Sequence, residues 1–285
     1  MKKLKIAIQK NGRLNEKSRD LLRQSGFEFS NGNVSLRDSC TNFPLEILYL
    51  RDDDIPGYVS DGVVDIGIVG LNIVSEKSFD VKIIEYPGFA KCRLSIAVPQ
   101  GFEYAGLKCL EGKTIATSYP VILKKYLENN YVQAKIHEIS GSVEIAPVIG
   151  LTDAICDIVS TGSTLISNGL KEVETVMESE AVIIANTAVD GEKQKILEKF
   201  LLRIKSVKKA KNTKYILLNS PNDCIEKIVK ILPGMKSPTI LPLAEDGWSS
   251  LHSVIAEDTF WEKIEQLKEA GAQGILIVPI EKMIM

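Results

Sequence analysis

At 285 residues the sequence is long enough for two or three domains, each with its own hydrophobic core. Hydrophobic residues make up 45% and charged residues 25% of it, and the formal net charge of -2 argues against a basic nucleic-acid-binding protein. The five cysteines are odd in number and lack C-x-x-C spacing, which argues against a disulfide framework and a zinc site. The sequence has only two histidines, His137 and His252, which argues against a Ser/His/Asp catalytic set.

The first hundred residues alternate strand and helix patterns. Apolar runs predict strands at 4–9, 45–50 and 63–70. Between the first two runs, Asn15 is predicted to cap a helix that Gly26 terminates. The third run is apolar on both faces, which favours the centre of a parallel sheet covered by helices.

The N-terminal apolar run is interrupted by Lys5, Lys10 and Arg13, so it predicts a strand and not a signal peptide. No window approaches the roughly 18 apolar residues that a membrane span requires. We therefore expect a cytoplasmic protein that binds neither membranes nor nucleic acid.

A second block of alternating patterns begins near residue 94. Its predicted strands are 94–99, 113–118, 134–140 and 153–160, and its predicted helices are 119–130 and 143–151. The strand-forming stretch 173–188 and a helix at 193–211 then lead the chain back to the first block. The repeated βαβ order predicts two α/β lobes with a ligand cleft at the carboxyl ends of their strands.

From residue 212 onward the order changes to strand, helix, two strands, helix and strand. This βαββαβ order predicts a ferredoxin-like third domain. Ser220 with Asp223, and Thr259 with Glu262, resemble capping boxes for its two helices. The predicted domains are lobe I at 1–95 with about 180–211, lobe II at 96–179, and the ferredoxin-like domain at 212–285.

The stretch GLKCLEGKT resembles a Walker A loop, but five residues separate Gly106 from Gly112 where that motif has four. Residues 113–118 are predicted to form a strand, whereas the phosphate-cradling loop leads into a helix. We therefore reject a P-loop at this position.

The strongest candidate for a binding loop is the stretch DAICDIVSTGSTL, an apolar strand that carries Asp157 and ends in hydroxyl side chains around Gly162. Backbone N–H groups at such a turn bind phosphate, and Gly162 permits a close approach. Thr161, Ser163 and Thr164 would add donors, and Asp157 would accept hydrogen bonds from a ribose diol. The alternative is that Thr161 or Ser163 only caps the following helix.

Cationic side chains follow the first two strands directly. Lys10 and Arg13 come after the first strand, and Arg51 comes after the second. Because the carboxyl ends of parallel strands lie on one rim, the three are predicted to converge on a polyphosphate; taken singly, each is better explained as a solvated surface charge. Ser118 and Tyr119 stand where a strand gives way to a helix, so either they line the cleft or they cap the helix.

Several stretches along the chain follow one family pattern in one order: QKNGRL (9–14), RDDDIPG (51–57), DGVVDIGIVG (61–70), GKTIATSYP (112–120), GLTDAICDIVSTGSTL (150–165) and NGLKEVE (168–174). Together they resemble ATP phosphoribosyltransferase, the family that opens histidine biosynthesis. SPTILPLA (237–244) and GILIVPIEKM (274–283) resemble its long form, which has a C-terminal regulatory domain. The resemblance implies an α/β protein with a two-lobed periplasmic-binding-protein-like catalytic core, followed by a ferredoxin-like regulatory domain.

The resemblance also implies a reaction, in which phosphoribosyl passes from phosphoribosyl pyrophosphate to N1 of ATP and pyrophosphate leaves, with Mg²⁺ as cofactor. Adenine N1 already has a lone pair, so the reaction requires alignment and charge stabilisation and no strong base. Asp157, Lys10 and Arg13 would be catalytic, and we expect substrate oxygens to hold most of the Mg²⁺ coordination. The implied donor-site residues are Asp153, Asp157, Thr161, Gly162, Ser163 and Thr164, and the implied nucleotide-site residues are Lys10, Arg13, Arg51, Ser118 and Tyr119.

For the third domain the resemblance implies inhibition by histidine at a subunit interface, in a homo-oligomer that ranges from dimer to hexamer. The implied effector residues are Asp223, Met235, Ser237, Thr239 and Gly274. The capping-box interpretation of Asp223 competes with its effector role. Leu71 stands where many relatives have a polar residue, so the nucleotide side of the cleft departs there from the family pattern.

Two other functions share parts of this pattern. A two-lobed arrangement also serves binding proteins and sensors that carry out no chemistry. A phosphoribosyltransferase with another acceptor would have the same loop, because the loop specifies the donor far better than the acceptor.

Overall fold

The computed structural model describes residues 2–29, 36–189, 191–232 and 234–284. The chain forms two compact units, one of Met1–Asp20 with Phe27–Glu198 and one of Leu21–Gly26 with Lys199–Met285. In the described part of the chain, no helix combines the length and the apolar character needed to cross a membrane.

The secondary structure elements are numbered in chain order. The strands are β1 (Leu4–Gln9), β2 (Arg37–Ser39), β3 (Leu45–Leu50), β4 (Ile66–Gly70), β5 (Val81–Glu85), β6 (Cys92–Pro99), β7 (Thr114–Thr117), β8 (Lys135–Glu138), β9 (Ala154–Val159), β10 (Leu170–Ser179), β11 (Ala181–Asn186), β12 (Thr213–Pro221), β13 (Thr239–Pro242), β14 (Trp248–Ala256) and β15 (Gln273–Pro279). The α-helices are α1 (Arg13–Gln24), α2 (Ile55–Ser60), α3 (Leu71–Lys77), α4 (Pro120–Asn129), α5 (Ser163–Ser167), α6 (Gly191–Lys211), α7 (Ile225–Ile231) and α8 (Glu257–Glu269).

The first sheet has the strand order β2-β3-β1-β4-β11-β5. Its centre is parallel, because β1 pairs in parallel with both β3 and β4. Just beyond β1, the Lys10 N–H donates to the Leu50 carbonyl over 2.7 Å, so the carboxyl ends of β1 and β3 are adjacent. Ile6, Ile8 and Ile66 are fully buried in this sheet, and such a side chain contributes about 1.5–3 kcal/mol of stability.

Asn15 does not cap a helix as predicted, because α1 begins two residues earlier, at Arg13. Gly12 has a φ of +88° immediately before the helix, a backbone conformation that favours glycine. The Asn15 Nδ2 instead donates to the carbonyl of Gln9, which ties the first helical turn to the end of β1. The predicted end of α1 is confirmed, since Gly26 follows it with a φ of +76°.

The second sheet has the strand order β10-β6-β9-β7-β8 and is built from residues between Cys92 and Ser179. The chain passes between the two sheets twice, from β5 to β6 and from β10 to β11. The predicted helix at 143–151 is wrong, because only a 3-10 turn, Val143–Ile145, forms there. Ala146 still has helical backbone angles, but Pro147 has no N–H to donate to the Val143 carbonyl, so the helical hydrogen bonding stops there.

The third sheet has the order β13-β14-β12-β15 with every pairing antiparallel, and α7 and α8 complete the βαββαβ order. The structure therefore confirms the predicted fold class of two α/β lobes followed by a ferredoxin-like domain. The predicted capping boxes are wrong. The Ser220 hydroxyl donates to the carbonyl of Pro221, and α8 begins at Glu257, before Thr259, with no side-chain cap.

Candidate active site

The loop after β9 turns sharply at Gly162, whose φ of +81° favours glycine. Gly162 directly precedes α5, and no side chain caps that helix in the described structure. The hydroxyls of Thr161 and Ser163 lie 3.0 Å from each other, and both residues are exposed, as is Thr164. The alternative that these hydroxyls serve as helix caps is therefore wrong, and they are available to a ligand.

The loop lines a pocket with a volume of about 180 Å³. Arg13 reaches this pocket from lobe I, whereas Glu144, Asp157 and the loop residues line it from lobe II. An arginine opposite hydroxyls and turn N–H groups is a combination that binds oxyanions. The structure thus brings Arg13 together with the predicted donor loop, from two segments that are distant in sequence.

Asp157 combines burial with a negative neighbour. Burial raises the pKa of its carboxyl above the ordinary 3.8, and the charge of Glu144 raises the pKa further. One carboxylate oxygen accepts the Ile158 N–H over 2.8 Å, which acts in the opposite direction. A partly desolvated carboxylate gains strongly from hydrogen-bond donors that a ligand brings, such as a pair of ribose hydroxyls.

A second pocket, of about 270 Å³, lies in the cleft between the two lobes. Lobe I contributes Asp52, Asp53 and Glu76 to its lining, and lobe II contributes Ser118 and Tyr119. The pocket is acidic, with Lys77 and Glu138 among its other lining residues. Phosphate groups are disfavoured at such a surface by like-charge repulsion.

Ser118 and Tyr119 occupy this cleft, and Ser118 does not cap α4. The Ser118 hydroxyl donates instead to the carbonyl of Ile139 over 2.6 Å. Burial raises the pKa of the Tyr119 hydroxyl, and the charge of Asp157 raises the pKa further. Tyr119 thus lines the second pocket with its hydroxyl in the neutral form.

Two contacts across the cleft involve residues that sequence reasoning missed. The carboxylate of Glu76 in α3 accepts the N–H groups of Val121 and Ile122 at the start of α4. The Asn72 amide donates to the Tyr119 hydroxyl over 3.2 Å. The sequence pattern did not predict α3 as a helix, and a single buried carboxylate has no recognisable local sequence motif. The sequence therefore contained little that could have identified Glu76 or Asn72.

The remaining predicted residues of the catalytic core lie apart from these pockets. The Lys10 and Arg51 side chains are exposed on the shared rim of β1 and β3, and neither residue lines either described pocket. Asp153 lies at the opposite end of β9 from the loop, where its carboxylate accepts the Thr114 N–H over 2.9 Å. Leu71 packs against the core of lobe I and does not line the acidic pocket.

The predicted effector residues are spread over the ferredoxin-like domain. Thr239 lies on β13 at one edge of the sheet, and Gly274 lies on β15 at the other edge. Three strand spacings separate these edges, roughly 14 Å. Asp223 follows β12, and no side chain caps the turn there, so the competing capping interpretation is wrong. Met235 and Ser237 are exposed before β13.

Among the residues that the structure describes, no group of three or more His, Cys, Asp or Glu side chains is arranged to hold a metal ion. Glu144 and Asp157 are the carboxylates among the described residues that line the pocket at the Gly162 loop. Mg²⁺ in phosphate-binding sites is usually held by one or two carboxylates together with substrate oxygens and water. These two residues therefore fit a Mg²⁺ ion that arrives with a polyphosphate substrate.

Comparison with known proteins agrees with this geometry. Residues 51–206 match the family model HisG, ATP phosphoribosyltransferase, and residues 210–282 match the model of the HisG C-terminal domain. The chain is 58% identical over 281 residues to the ATP phosphoribosyltransferase of Cytophaga hutchinsonii, covering 99% of this chain and 98% of that protein. The chain belongs to the ATP phosphoribosyltransferase family.

A second relative and a solved structure agree with this family. The enzyme of Bacteroides thetaiotaomicron is 55% identical over 282 residues, which cover 99% of this chain and all of that protein. A chain of the ATP phosphoribosyl transferase (HisG:HisZ) complex from Thermotoga maritima superposes with a TM-score of 0.62 at 30% identity, covering 71% of this chain and 96% of that one. The match of residues 210–282 identifies this chain as a long form of the family.

Proposed function

We propose that this protein transfers phosphoribosyl from phosphoribosyl pyrophosphate to N1 of ATP and releases pyrophosphate, the first step of histidine biosynthesis. The observation that carries the proposal is the pocket in which Arg13 from one lobe faces the Asp157–Leu165 loop from the other. Family membership supports the same reaction. The two lobes would then align donor and acceptor across the cleft.

On the donor side, the turn at Gly162 and the hydroxyls of Thr161, Ser163 and Thr164 would bind the 5′-phosphate. Asp157 would accept hydrogen bonds from the ribose hydroxyls. Its negative charge would also stabilise the positive charge that develops at the anomeric carbon as pyrophosphate leaves. Arg13 would neutralise the phosphates across the pocket.

No general base is needed, because adenine N1 attacks with its own lone pair. His137 is exposed on β8, and His252 is engaged with Tyr215 and Ser250 in the ferredoxin-like domain. Neither histidine lines the described pockets, which supports a mechanism of alignment and electrostatic stabilisation.

Mg²⁺ would be bound mainly by pyrophosphate oxygens, with Asp157 and Glu144 as the available carboxylates. When bound, the ion stabilises the charge of the departing pyrophosphate. Removal of divalent ions with a chelator should abolish turnover, and added Mg²⁺ should restore it.

On the acceptor side, we assign the phosphates of ATP to the cationic rim of Lys10 and Arg51. The acidic pocket lined by Ser118 and Tyr119 would receive the uncharged part of the nucleotide, since Asp52 and the other carboxylates there repel phosphate. Leu71 packs into the core, so the polar contact at this side would come from Tyr119.

We also propose that histidine inhibits the enzyme through the ferredoxin-like domain, in a homo-oligomer from dimer to hexamer. Thr239 and Gly274 lie at opposite edges of one sheet, so one histidine molecule touches both only if two subunits contribute. The sheet face away from the helices carries Leu241, Leu276 and Val278, which are exposed by 48%, 60% and 44%. These exposed apolar side chains support association of subunits at this face.

The proposed domains are lobe I at 1–95 with about 180–211, lobe II at 96–179 and the regulatory domain at 212–285. The division of the strands among three sheets supports this order. We propose a cytoplasmic location, which the five free cysteines support, because reducing compartments keep thiols unpaired.

The experiment is to incubate the purified protein with ATP, phosphoribosyl pyrophosphate and Mg²⁺ and to detect N1-phosphoribosyl-ATP by mass spectrometry. Product formation is expected, and added histidine should suppress it. Binding of ligands without product would favour a binding protein, and product only with another base would favour another acceptor. Product that histidine does not suppress would leave the transfer reaction and contradict the proposed regulation.

A further inference from the structure

The first turn of α4 is held by the opposite lobe. Pro120 has no N–H, and the Tyr119 N–H donates to the Thr117 hydroxyl over 2.9 Å. The N–H groups of Val121 and Ile122 still need acceptors from outside α4, because the first N–H groups of a helix have no partner within it. No side chain next to the helix caps it in the described structure.

Glu76 supplies both missing acceptors from α3 of lobe I. Its carboxylate oxygens lie 2.9 Å from the Val121 nitrogen and 3.0 Å from the Ile122 nitrogen. The residue is buried, with 9% of its surface exposed. A buried carboxylate at a helix N-terminus forms charge-assisted hydrogen bonds and complements the helix dipole, so this contact between the lobes is a strong one.

The other end of α3 is also bonded to the chain that leads from lobe II. The Asn72 N–H donates to the Ser179 hydroxyl over 3.1 Å, and that hydroxyl donates to the Asn72 Oδ1 over 2.9 Å. The Leu71 N–H donates to the carbonyl of Glu180 over 2.9 Å. Helix α3 is therefore fixed at both ends, and its position determines where α4 starts.

We propose that Glu76 is a positioning residue, which holds the Ser118–Tyr119 turn at the start of α4 against lobe I and so shapes the acceptor half of the cleft. This inference rests on the proposed function, because it assumes that ATP uses this half. The donor loop is rooted in β9 and has no contact with Glu76 among the described hydrogen bonds. Loss of Glu76 should therefore affect ATP and spare phosphoribosyl pyrophosphate.

The test compares Glu76→Gln and Glu76→Asp with wild type. Glutamine keeps the shape but presents only one acceptor, and aspartate keeps the charge but is shorter by one methylene. Amide hydrogen exchange at Val121 and Ile122 should be slow in wild type and faster in both variants. The KM for ATP should rise roughly 10-fold and kcat should fall, with the KM for phosphoribosyl pyrophosphate unchanged.

The matched control is Glu111→Gln. The Glu111 carboxylate accepts the Gln133 N–H over 3.0 Å. Both residues belong to lobe II, so this hydrogen bond does not link the two lobes. Its kinetic constants should equal those of wild type. A variant that is only less stable would lose kcat while both KM values stay constant, which differs from the predicted split.

An unchanged KM for ATP in Glu76→Gln, with wild-type turnover intact, would overturn the inference and leave the proposed function standing. A rise in both KM values would also overturn it, because the effect would not be confined to the acceptor half. Absence of turnover in wild type would overturn the proposed function and this inference together.

Discussion

The donor loop and the acidic pocket across the cleft are built in opposite ways. The pocket at the donor loop takes most of its polar groups from consecutive residues between Asp157 and Leu165, and among its described lining residues Glu144 and Arg13 come from elsewhere in the chain. The acidic pocket collects residues from four separate segments, around Asp52, Glu76, Ser118 and Glu138. A site built from one segment is visible in the sequence, whereas a site built from four depends on the packing of the lobes.

The largest expected effect comes from Gly162→Ala. Alanine at a φ of +81° is strained by roughly 1–2 kcal/mol, and its methyl group would project at the turn that is proposed to bind phosphate. We expect turnover to fall by about 100-fold. Gly112→Ala is the matched control, since Gly112 has a φ of +72° and open space around it.

Steady-state kinetics and thermal unfolding of both glycine variants separate strain from function. Both should lose similar stability, and only Gly162→Ala should lose turnover. Equal loss of turnover in the two variants would mean that backbone strain, and not the phosphate turn, is responsible.

Asp157→Asn should separate activity from stability. The raised pKa of Asp157 means that the folded protein binds this proton more readily than the unfolded chain. The stability that this group contributes therefore falls as pH rises from 3.8 through the raised pKa. The variant should unfold at the wild-type temperature or above it.

The same variant should lose about 10- to 100-fold in kcat/KM for phosphoribosyl pyrophosphate, the usual size of lost hydrogen bonds to a charged group. Calorimetric unfolding at pH 7 and initial rates give the two quantities. A lower unfolding temperature, or unchanged kinetics, would contradict the assigned role of Asp157.

Much of the fold could be predicted from the sequence, because strands such as β1 and β9 are short apolar runs whose side chains are mostly buried in the folded protein. The helix predicted at 143–151 does not form because Pro147 has no N–H to continue it, and the predicted capping boxes do not form because Ser220 bonds to the Pro221 carbonyl and α8 begins before Thr259. Glu76 could not be predicted, since its partners are backbone groups of the other lobe. The donor loop needed no such tertiary information.

Arg13→Gln tests whether the pocket at the donor loop needs the cation that lobe I contributes. Loss of a charge-assisted contact to phosphate should reduce kcat/KM for phosphoribosyl pyrophosphate by about 10-fold and weaken its salt dependence. Lys17→Gln, which removes an exposed cation from the same helix, should have no effect. Identical effects of both changes would indicate a general charge effect on substrate approach.

The smallest effect is expected for Thr161→Val, which removes one of several hydroxyl donors. A neutral hydrogen bond contributes about 0.5–1.5 kcal/mol, so the KM for phosphoribosyl pyrophosphate should rise about 2- to 10-fold. Ser167→Ala is the control, because the Ser167 hydroxyl is already bonded to the Thr164 carbonyl. A larger effect of Ser167→Ala than of Thr161→Val would contradict the assignment of loop hydroxyls to the ligand.

The most direct test of the donor assignment is calorimetric titration of phosphoribosyl pyrophosphate with Mg²⁺ into wild type, Gly112→Ala and Gly162→Ala. Wild type and Gly112→Ala should bind with equal affinity, and Gly162→Ala should show binding weakened by at least about 10-fold. Equal affinity in all three proteins would contradict the conclusion that the loop at Gly162 holds the donor.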